Sequence, residues 1–375
     1  MKKYILILTV SSLLFCNQAN ALWTNKTMVF GGLTRSYRVY QSPNYNASVP
    51  ASLLIALHGL GDNMTNFSGI GFSYIADTAN IICIFPQAVS DPYAGTAWNS
   101  GAGMYGYYPN ATVNDIGFIN ALIDTSKANY SIDASRVYLC GFSMGGFMTE
   151  RMALQSNTKI AAFGSMSGTI GNGVTTHNPG RHVPIAHFHG TSDSTVYYTG
   201  DLYGIDPDSL IHFWAINNSC SPTPTTYSYP NVANDSITVE RFEYSNGDPQ
   251  SDVWFYKMYG ATHTVLFQPV NDMTEPIELW LFLRRHTFAS AGINDQNDLS
   301  NNLLIYPNPA KNDLYIEINE QAEIEISNIQ GQLMVTTFSK GYDNLNVDVS
   351  AFTAGIYFIK IKTKNGMAVK KFIKD

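Results

Sequence analysis

The 375 residues, 45% hydrophobic and 14% charged, are enough for one large domain and one small one around a sizeable buried core. The formal charge of −7 gives the chain as a whole no electrostatic attraction for nucleic acid or an anionic membrane. Aromatic residues make up 13%, enough to place rings on the surface as well as inside, which hints at a ring-bearing or polymeric ligand.

The chain opens MKKYILILTVSSLLFCNQANA: two lysines, an apolar run from Tyr4 to Phe15, then Ala19-Asn20-Ala21, the small-x-small pattern that a signal peptidase cuts. Residues 1–21 are therefore predicted to be a signal peptide, and the mature chain to begin near Leu22. The run is shorter than the roughly 18 apolar residues that a membrane helix needs, and bulky Phe15 before Cys16 argues against a lipoprotein. Cleavage leaves Cys83, Cys140 and Cys220, so at most one disulfide can form and one thiol stays unpaired. No Cys-x-x-Cys or His-x-x-x-His spacing marks a metal site, and no cofactor is predicted.

Downstream, SLLIALHG, IICIFPQ, RVYLCG, AAFGSMSG, VPIAHFHG and DVWFYKMYG read as buried strands, each ending in Gly, Pro or polar residues. Helical patterns fit between them over residues 113–127, where Ile116, Ile119 and Ile123 share a face, and over 207–217 and 274–285. Repeated strand-helix alternation predicts a mostly parallel α/β sheet with helices on both faces, its ligand site at the carboxyl ends of the strands. The polar, Asn/Asp-rich residues 291–302 read as a linker between a first domain over 22–290 and a second over 303–375. That second part alternates at Leu314, Ile316 and Ile318 and at Ile324 and Ile326, and carries Asn365-Gly366 between strand-like runs. It is predicted to be a small antiparallel β-sandwich.

RVYLCGFSMGGFMTERMALQ is a strand, a Gly-x-Ser-x-Gly turn and an amphipathic helix, the context in which such a turn presents a nucleophilic serine. Gly141 and Gly145 leave room for the strained backbone of Ser143, and the helix start aims the Met144 amide at an incoming carbonyl oxygen. A second oxyanion donor is expected from an earlier strand end: His58-Gly59-Leu60-Gly61 offers the Leu60 amide, with His58 as an orienting, structural histidine. A serine hydroxyl needs a histidine to take its proton and a carboxylate to orient that histidine, in the chain order serine, acid, histidine. His263, in the loop YGATHTV after a strand, is the predicted base, since His187 and His189 lie within a strand, His212 on a helix face and His286 at a helix end. Asp193, just past the strand in HFHGTSDSTVYY, is the predicted acid. Asp201, Asp206 and Asp208 read as turn or N-cap residues, and Asp115 as a helix-start residue. Phe67, Trp98 and Tyr197 lie in loops next to these residues and, with Met144, are candidates for an apolar substrate platform.

These segments, with FPQA before Trp98-Asn99, VNDIGFINALID and HFWAINNSC, resemble the α/β-hydrolase superfamily, specifically the secreted polyhydroxybutyrate depolymerase and feruloyl esterase group, over about residues 53–286. The resemblance implies a serine esterase with a triad of Ser143, Asp193 and His263, acting on hydroxyalkanoate polyesters, feruloylated polysaccharides or aromatic polyesters such as poly(ethylene terephthalate). Members of the group often pair the cysteine matching Cys220 with one before the last strand; this chain departs from them, reading YSNGDPQSD there. Residues 303–375, through IYPNPAKNDLYIE, DVSAFTAGIYFIKIKTKNG and VKKFIK, resemble the type A sorting domain of the type IX secretion system, which implies that machinery as a partner and export across the outer membrane. Two other readings stay open: a serine peptidase of the same fold, which shares the chain order, and a binding protein on a hydrolase scaffold, which the complete set of catalytic residue types opposes.

Overall fold

The computed structural model describes residues 22–288 and 304–375, apart from 104, 201, 319, 320, 330, 341, 342, 364 and 365. The predicted signal peptide, the predicted linker and both domain edges drawn beside it lie outside the described residues, as do Asp201 and Asn365. Contacts divide the chain into two compact units, one up to Phe288 and the other within residues 289–375.

In chain order the first unit comprises β1 (Leu22–Phe30), β2 (Leu33–Gln41), β3 (Ala51–Leu57), α1 (Met64–Phe67), α2 (Phe72–Ala76), β4 (Ile81–Pro86), β5 (Val89–Asp91), β6 (Gly95–Ala97) and α3 (Asp115–Asn129). It continues with β7 (Ile132–Phe142), α4 (Met144–Gln155), β8 (Ala162–Met166), β9 (Ile185–Gly190), α5 (Pro207–Asn217), β10 (Thr225–Ser228), β11 (Thr238–Tyr244), β12 (Val253–Tyr259) and α6 (Glu275–Leu283). Ten strands form one sheet in the order β1-β2-β4-β3-β7-β8-β9-β12-β11-β10. The strands from β4 to β12 in that order pair parallel and are the six predicted ones; β1 and β2 at one edge and β10 and β11 at the other pair antiparallel and were not expected.

The parallel strands are apolar at nearly every position because both faces are covered. Leu53, Ile55, Leu57, Val137 and Leu139 join the core shared with α3, α4 and α5. Their neighbours Leu54, Ala56, Tyr138 and Cys140 point the other way, into the core shared with α1, α2 and α6. Each fully buried Leu or Ile contributes about 1.5–3 kcal/mol relative to exposure.

A buried ion pair ties the antiparallel edge to this frame. Arg35 on β2 donates to Asp115 Oδ1 at 2.7 Å, and the Asn99 amide donates to Oδ2 at 2.8 Å. Asp115 is thus a helix-start residue, as expected, with Asn114 as the N-cap, but it also neutralises a guanidinium that is 2% exposed. Asp115→Ala leaves that charge buried without its counter-charge and is expected to destabilise the first unit by about 3 kcal/mol in urea unfolding. An unchanged unfolding midpoint would contradict this role.

In the second unit β13 (Leu304–Tyr306), β14 (Asp313–Ile318) and β17 (Asp343–Asp348) form one antiparallel sheet, and β15 (Gln321–Asn328), β16 (Leu333–Lys340), β18 (Gly355–Thr363) and β19 (Gly366–Lys374) another. Alternate residues of both, Leu314, Ile316, Ile324, Ile326, Ile359 and Ile361 among them, share one apolar core, giving the expected sandwich. Asn365, half of the predicted hairpin turn, is outside the described residues, while β18 and β19 on either side pair antiparallel.

Candidate active site

Ser143 sits between β7 and α4 with φ +55° and ψ −121°, a conformation that a non-glycine residue holds only where its surroundings enforce it. They do so by close approach. A Cβ on Gly141 would meet the Gly145 carbonyl oxygen at 2.2 Å, and one on Gly145 would meet the Leu57 carbonyl oxygen at 2.1 Å. The turn therefore packs backbone to backbone against the end of β3. The Ser143 amide donates to Met166 O at 2.8 Å, and its carbonyl accepts from the Phe147 amide at 3.0 Å.

The neighbouring strand ends supply two more predicted residues. Asp193 follows β9 in a turn whose Thr195 and Val196 amides donate to its Oδ1 at 2.8 and 2.9 Å. Its Oδ2 accepts from His263 Nδ1 at 2.7 Å, and Ser143 Oγ donates to His263 Nε2 at 2.9 Å. Burial raises the Asp193 carboxyl, but the hydrogen bond and charge of His263, with the two amides, outweigh it and hold the group below the ordinary carboxylate range. Phe142 lies against the imidazole with ring centres 4.9 Å apart.

The acid and base loops are stitched to each other. The Ser192 amide donates to Ala261 O at 3.0 Å, and the Gly260 amide to Thr191 Oγ1 at 2.9 Å. Farther along the base loop, Leu266 N donates to Glu275 Oε1 at 2.8 Å while Glu275 N donates to Leu266 O at 3.0 Å, so the first residue of α6 clamps the loop. Burial raises the Glu275 carboxyl to about 8 against the Leu266 amide, which lowers it.

The oxyanion candidates face the same place. Among the described residues neither the Leu60 nor the Met144 amide has a hydrogen-bond partner within the protein. The Gly59-Leu60 loop abuts Ser143, since a Cβ on Gly59 would lie 3.3 Å from the Ser143 Cβ. His58 fixes that loop as its structural reading expects: it is fully buried, donates from Nδ1 to Gly59 O at 2.7 Å and accepts the Ala88 amide at Nε2 at 3.1 Å. Burial lowers its pKa, in keeping with that neutral tautomer.

Ser143 and His263 open onto a cavity of about 320 Å³ whose walls include Leu60, Ala102, Phe142, Met144, Phe147, Val196 and Tyr203. The predicted platform is corrected here. Trp98 is fully buried, its indole N–H spent on His58 O at 2.9 Å; Phe67 is packed into the core on the α6 side of the sheet; Tyr197 is 52% exposed; none of the three lines this cavity. Of that group only Met144 does. Phe147, Val196, Ala102 and Tyr203 were not singled out. Phe147 lies four residues past Ser143 in the helical period and Val196 closes the acid turn, so those two had a readable signal; Ala102 and Tyr203 arrive through tertiary folding alone.

The cysteines among the described residues are free: Cys83 and Cys140 are buried and Cys220 is half-buried. Cys220 Sγ lies 3.2 Å from Ser251 O. Among the described residues no group of three His, Cys, Asp or Glu is placed to hold a metal ion, and no helix is long and apolar enough to cross a membrane.

Comparison with known proteins bears on the same residues. Residues 44–200, which include Ser143 and Asp193, match the phospholipase/carboxylesterase family, and residues 304–375 match a secretion system C-terminal sorting domain. The chain is 29% identical over 254 residues to a bifunctional acetylxylan esterase/xylanase of Neocallimastix patriciarum, covering 66% of this chain and 34% of that protein. It is 29% identical over 194 residues to a probable feruloyl esterase C of Aspergillus oryzae, covering 50% and 64%. It is 30% identical over 171 residues to an acyl-protein thioesterase 1 homolog of Dictyostelium discoideum, covering 40% and 73%. The chain thus spans between a third and two thirds of the length of the first two relatives.

Because Glu275 holds its proton when folded up to about pH 8 but releases it near the ordinary value of 4.5 when unfolded, its contribution is fully present below about pH 4.5 and is lost as pH rises to about 8. Glu275→Gln keeps the acceptor for Leu266 and removes the ionisable group. Its thermal midpoint is expected to exceed that of the wild type near pH 9, by roughly 3–5 kcal/mol of stability, and to match it near pH 4. The same difference at both pH values would contradict a buried, protonated Glu275.

Proposed function

As the chain belongs to the phospholipase/carboxylesterase family of α/β-hydrolases and carries a secretion system C-terminal sorting domain, we propose that it is an exported serine esterase acting on acyl esters of a polymer. The observation that carries this reading is the continuous line from Ser143 Oγ through His263 to Asp193, with contacts of 2.9 and 2.7 Å, beside an apolar cavity. Ser143 Oγ attacks the ester carbonyl carbon while its proton passes to His263 Nε2, and Asp193 stabilises the imidazolium through Nδ1–H. The Leu60 and Met144 amides receive the oxyanion, the latter aided by the positive end of α4. His263 then returns the proton to the departing alcohol, leaving an acyl-enzyme. Water, deprotonated by the same imidazole, releases the acid and restores the serine.

The cavity wall of Ala102, Phe147, Val196 and Tyr203 suits an uncharged acyl group, since among the described residues no Lys or Arg lines the cavity to pair with an anionic one and Asp62 in its lining would repel it. Relatives named as an acetylxylan esterase and a feruloyl esterase match over 254 and 194 residues, against 106 for one named as a poly(3-hydroxyalkanoate) depolymerase, and this favours an ester on a polysaccharide over a polyester. The sorting domain, of the type IX kind, would take the enzyme across the outer membrane to such an extracellular substrate.

Ser143→Ala is expected to lower kcat on p-nitrophenyl acetate by at least about 1,000-fold with an unchanged thermal midpoint. Turnover within tenfold of the wild type by the folded variant would refute the nucleophile. On a panel of acetylated xylan, methyl ferulate, poly(3-hydroxybutyrate), poly(ethylene terephthalate) and a peptide p-nitroanilide, the xylan or ferulate ester should be turned over fastest. A preference for either polyester would overturn the polysaccharide assignment, and a preference for the anilide would make the protein a peptidase.

A further inference from the structure

Two histidines lie behind Asp193 on the face of β9 that joins the core with Leu210 and Trp214 of α5. His187 is 1% exposed and His189 is fully buried, their ring centres are 5.3 Å apart, and His187 stacks on Phe255 at 5.8 Å. Imidazoles in such a place must spend their polar atoms on each other or on backbone. His189 Nε2 lies 2.9 Å from Val196 O, and a carbonyl only accepts, so Nε2 carries the proton. His189 Nδ1 lies 3.2 Å from His187 Nε2. With His189 neutral, Nδ1 is the acceptor and His187 donates from Nε2. The one atom then left without a partner is the lone pair of His187 Nδ1, which has none among the described residues. The opposite polarity would charge His189 and strand a buried N–H on His187. Burial, then the neighbouring His189, pushes the His187 pKa well below the ordinary value, in accord with a neutral ring.

This chain of donors ends on the turn that presents the triad carboxylate. Val196, whose carbonyl it holds, donates its own amide to Asp193 Oδ1 at 2.9 Å. His189 Nε2 is also 3.6 Å from Asp193 Oδ2, the oxygen that receives His263 Nδ1. Among the described residues, the groups around the imidazole include the edge-on Tyr198 ring at 5.9 Å and, beyond it, Lys257 Nζ, 4.8 Å over that ring.

We propose that His189 is a positioning residue for Asp193, its Nε2–H closing the turn from Asp193 to Val196 and His187 fixing the tautomer that makes this possible. The inference rests on the reading of Ser143, His263 and Asp193 as a triad. It extends to the acyl cavity, because Val196 is one of its walls: the hydrogen bond that seats the carboxylate also seats the surface beside the nucleophile.

His189→Gln and His189→Met separate this role from simple filling of space. Gln offers an amide N–H close to the position of Nε2, whereas Met keeps bulk without a donor. His189→Gln is expected to keep kcat for p-nitrophenyl acetate within about threefold, and His189→Met to lower it about 30-fold or more with KM changed less than threefold. In His189→Met the acid limb of the kcat profile should also move, because the carboxylate that orients the general base is no longer held in place. Unchanged kcat and an unchanged acid limb in folded His189→Met would overturn the proposal. Should that variant fail to fold, the full-length wild type with ¹⁵N-labelled histidine decides: both His187 and His189 must give the nitrogen shifts of neutral Nε2–H tautomers between about pH 6 and 8. An Nδ1–H or charged ring at either position would refute it. The tautomers are read without substrate, so a wild type inactive on every ester counts against the triad, and the nitrogen shifts still decide the histidine pair.

Discussion

The left-handed backbone of Ser143 is the constraint from which the rest of the site follows. A serine at φ +55° costs about 1–3 kcal/mol and persists only where its neighbours leave no alternative. Here the alternative is removed by backbone approaching backbone: Gly145 against the end of β3, and Gly141 against Gly145. That contact is possible because β3 and β7 are adjacent parallel strands in the middle of the sheet, buried on both faces and unable to shift. The turn starts α4 immediately after Ser143, so one local conformation sets both the proposed nucleophile and one proposed oxyanion donor.

Around that fixed point, buried polar groups hold the loops in place. His58 pins the Gly59-Leu60 loop, Glu275 clamps the loop that carries His263, and the amides of Thr195 and Val196 grip one oxygen of Asp193 so that the other faces the imidazole. Each is a hydrogen bond between a buried side chain and the main chain of a loop. Loops that would otherwise sample many conformations are thereby held in one, which is the pre-organisation that acyl transfer requires. The lowered carboxyl of Asp193 and the raised carboxyl of Glu275 express one balance with opposite outcomes: the hydrogen bond and charge of His263, with two amides, outweigh burial at the first, and the single Leu266 amide does not at the second.

The interior of the fold was legible because strands covered on both faces become continuous apolar runs, as in SLLIALHG and RVYLCG. The edge strands were not, because one face of each meets solvent and their composition is mixed. For β1 and β2 a signal was present in Gly31-Gly32, both at positive φ between two alternating segments. Ser143, Asp193 and His263 were readable since each stands just past a strand end, where direction is set by the sheet. Trp98 and Phe67 show the limit: nearness in sequence to a functional loop does not say which way a side chain points, and both rings turned into the core. The cavity wall is assembled from segments far apart in the chain, and the buried contact between His187 and His189 gives no periodic signal, since alternate residues of any strand share a face.

The most direct test of the catalytic reading is to treat the folded protein with a fluorophosphonate and locate the adduct by mass spectrometry of the digested chain. The arrangement of Ser143, His263 and the unpaired Leu60 and Met144 amides requires a single phosphonyl adduct, on Ser143, formed in parallel with loss of ester turnover. An adduct on any other residue, or full loss of turnover with Ser143 unmodified, would contradict it.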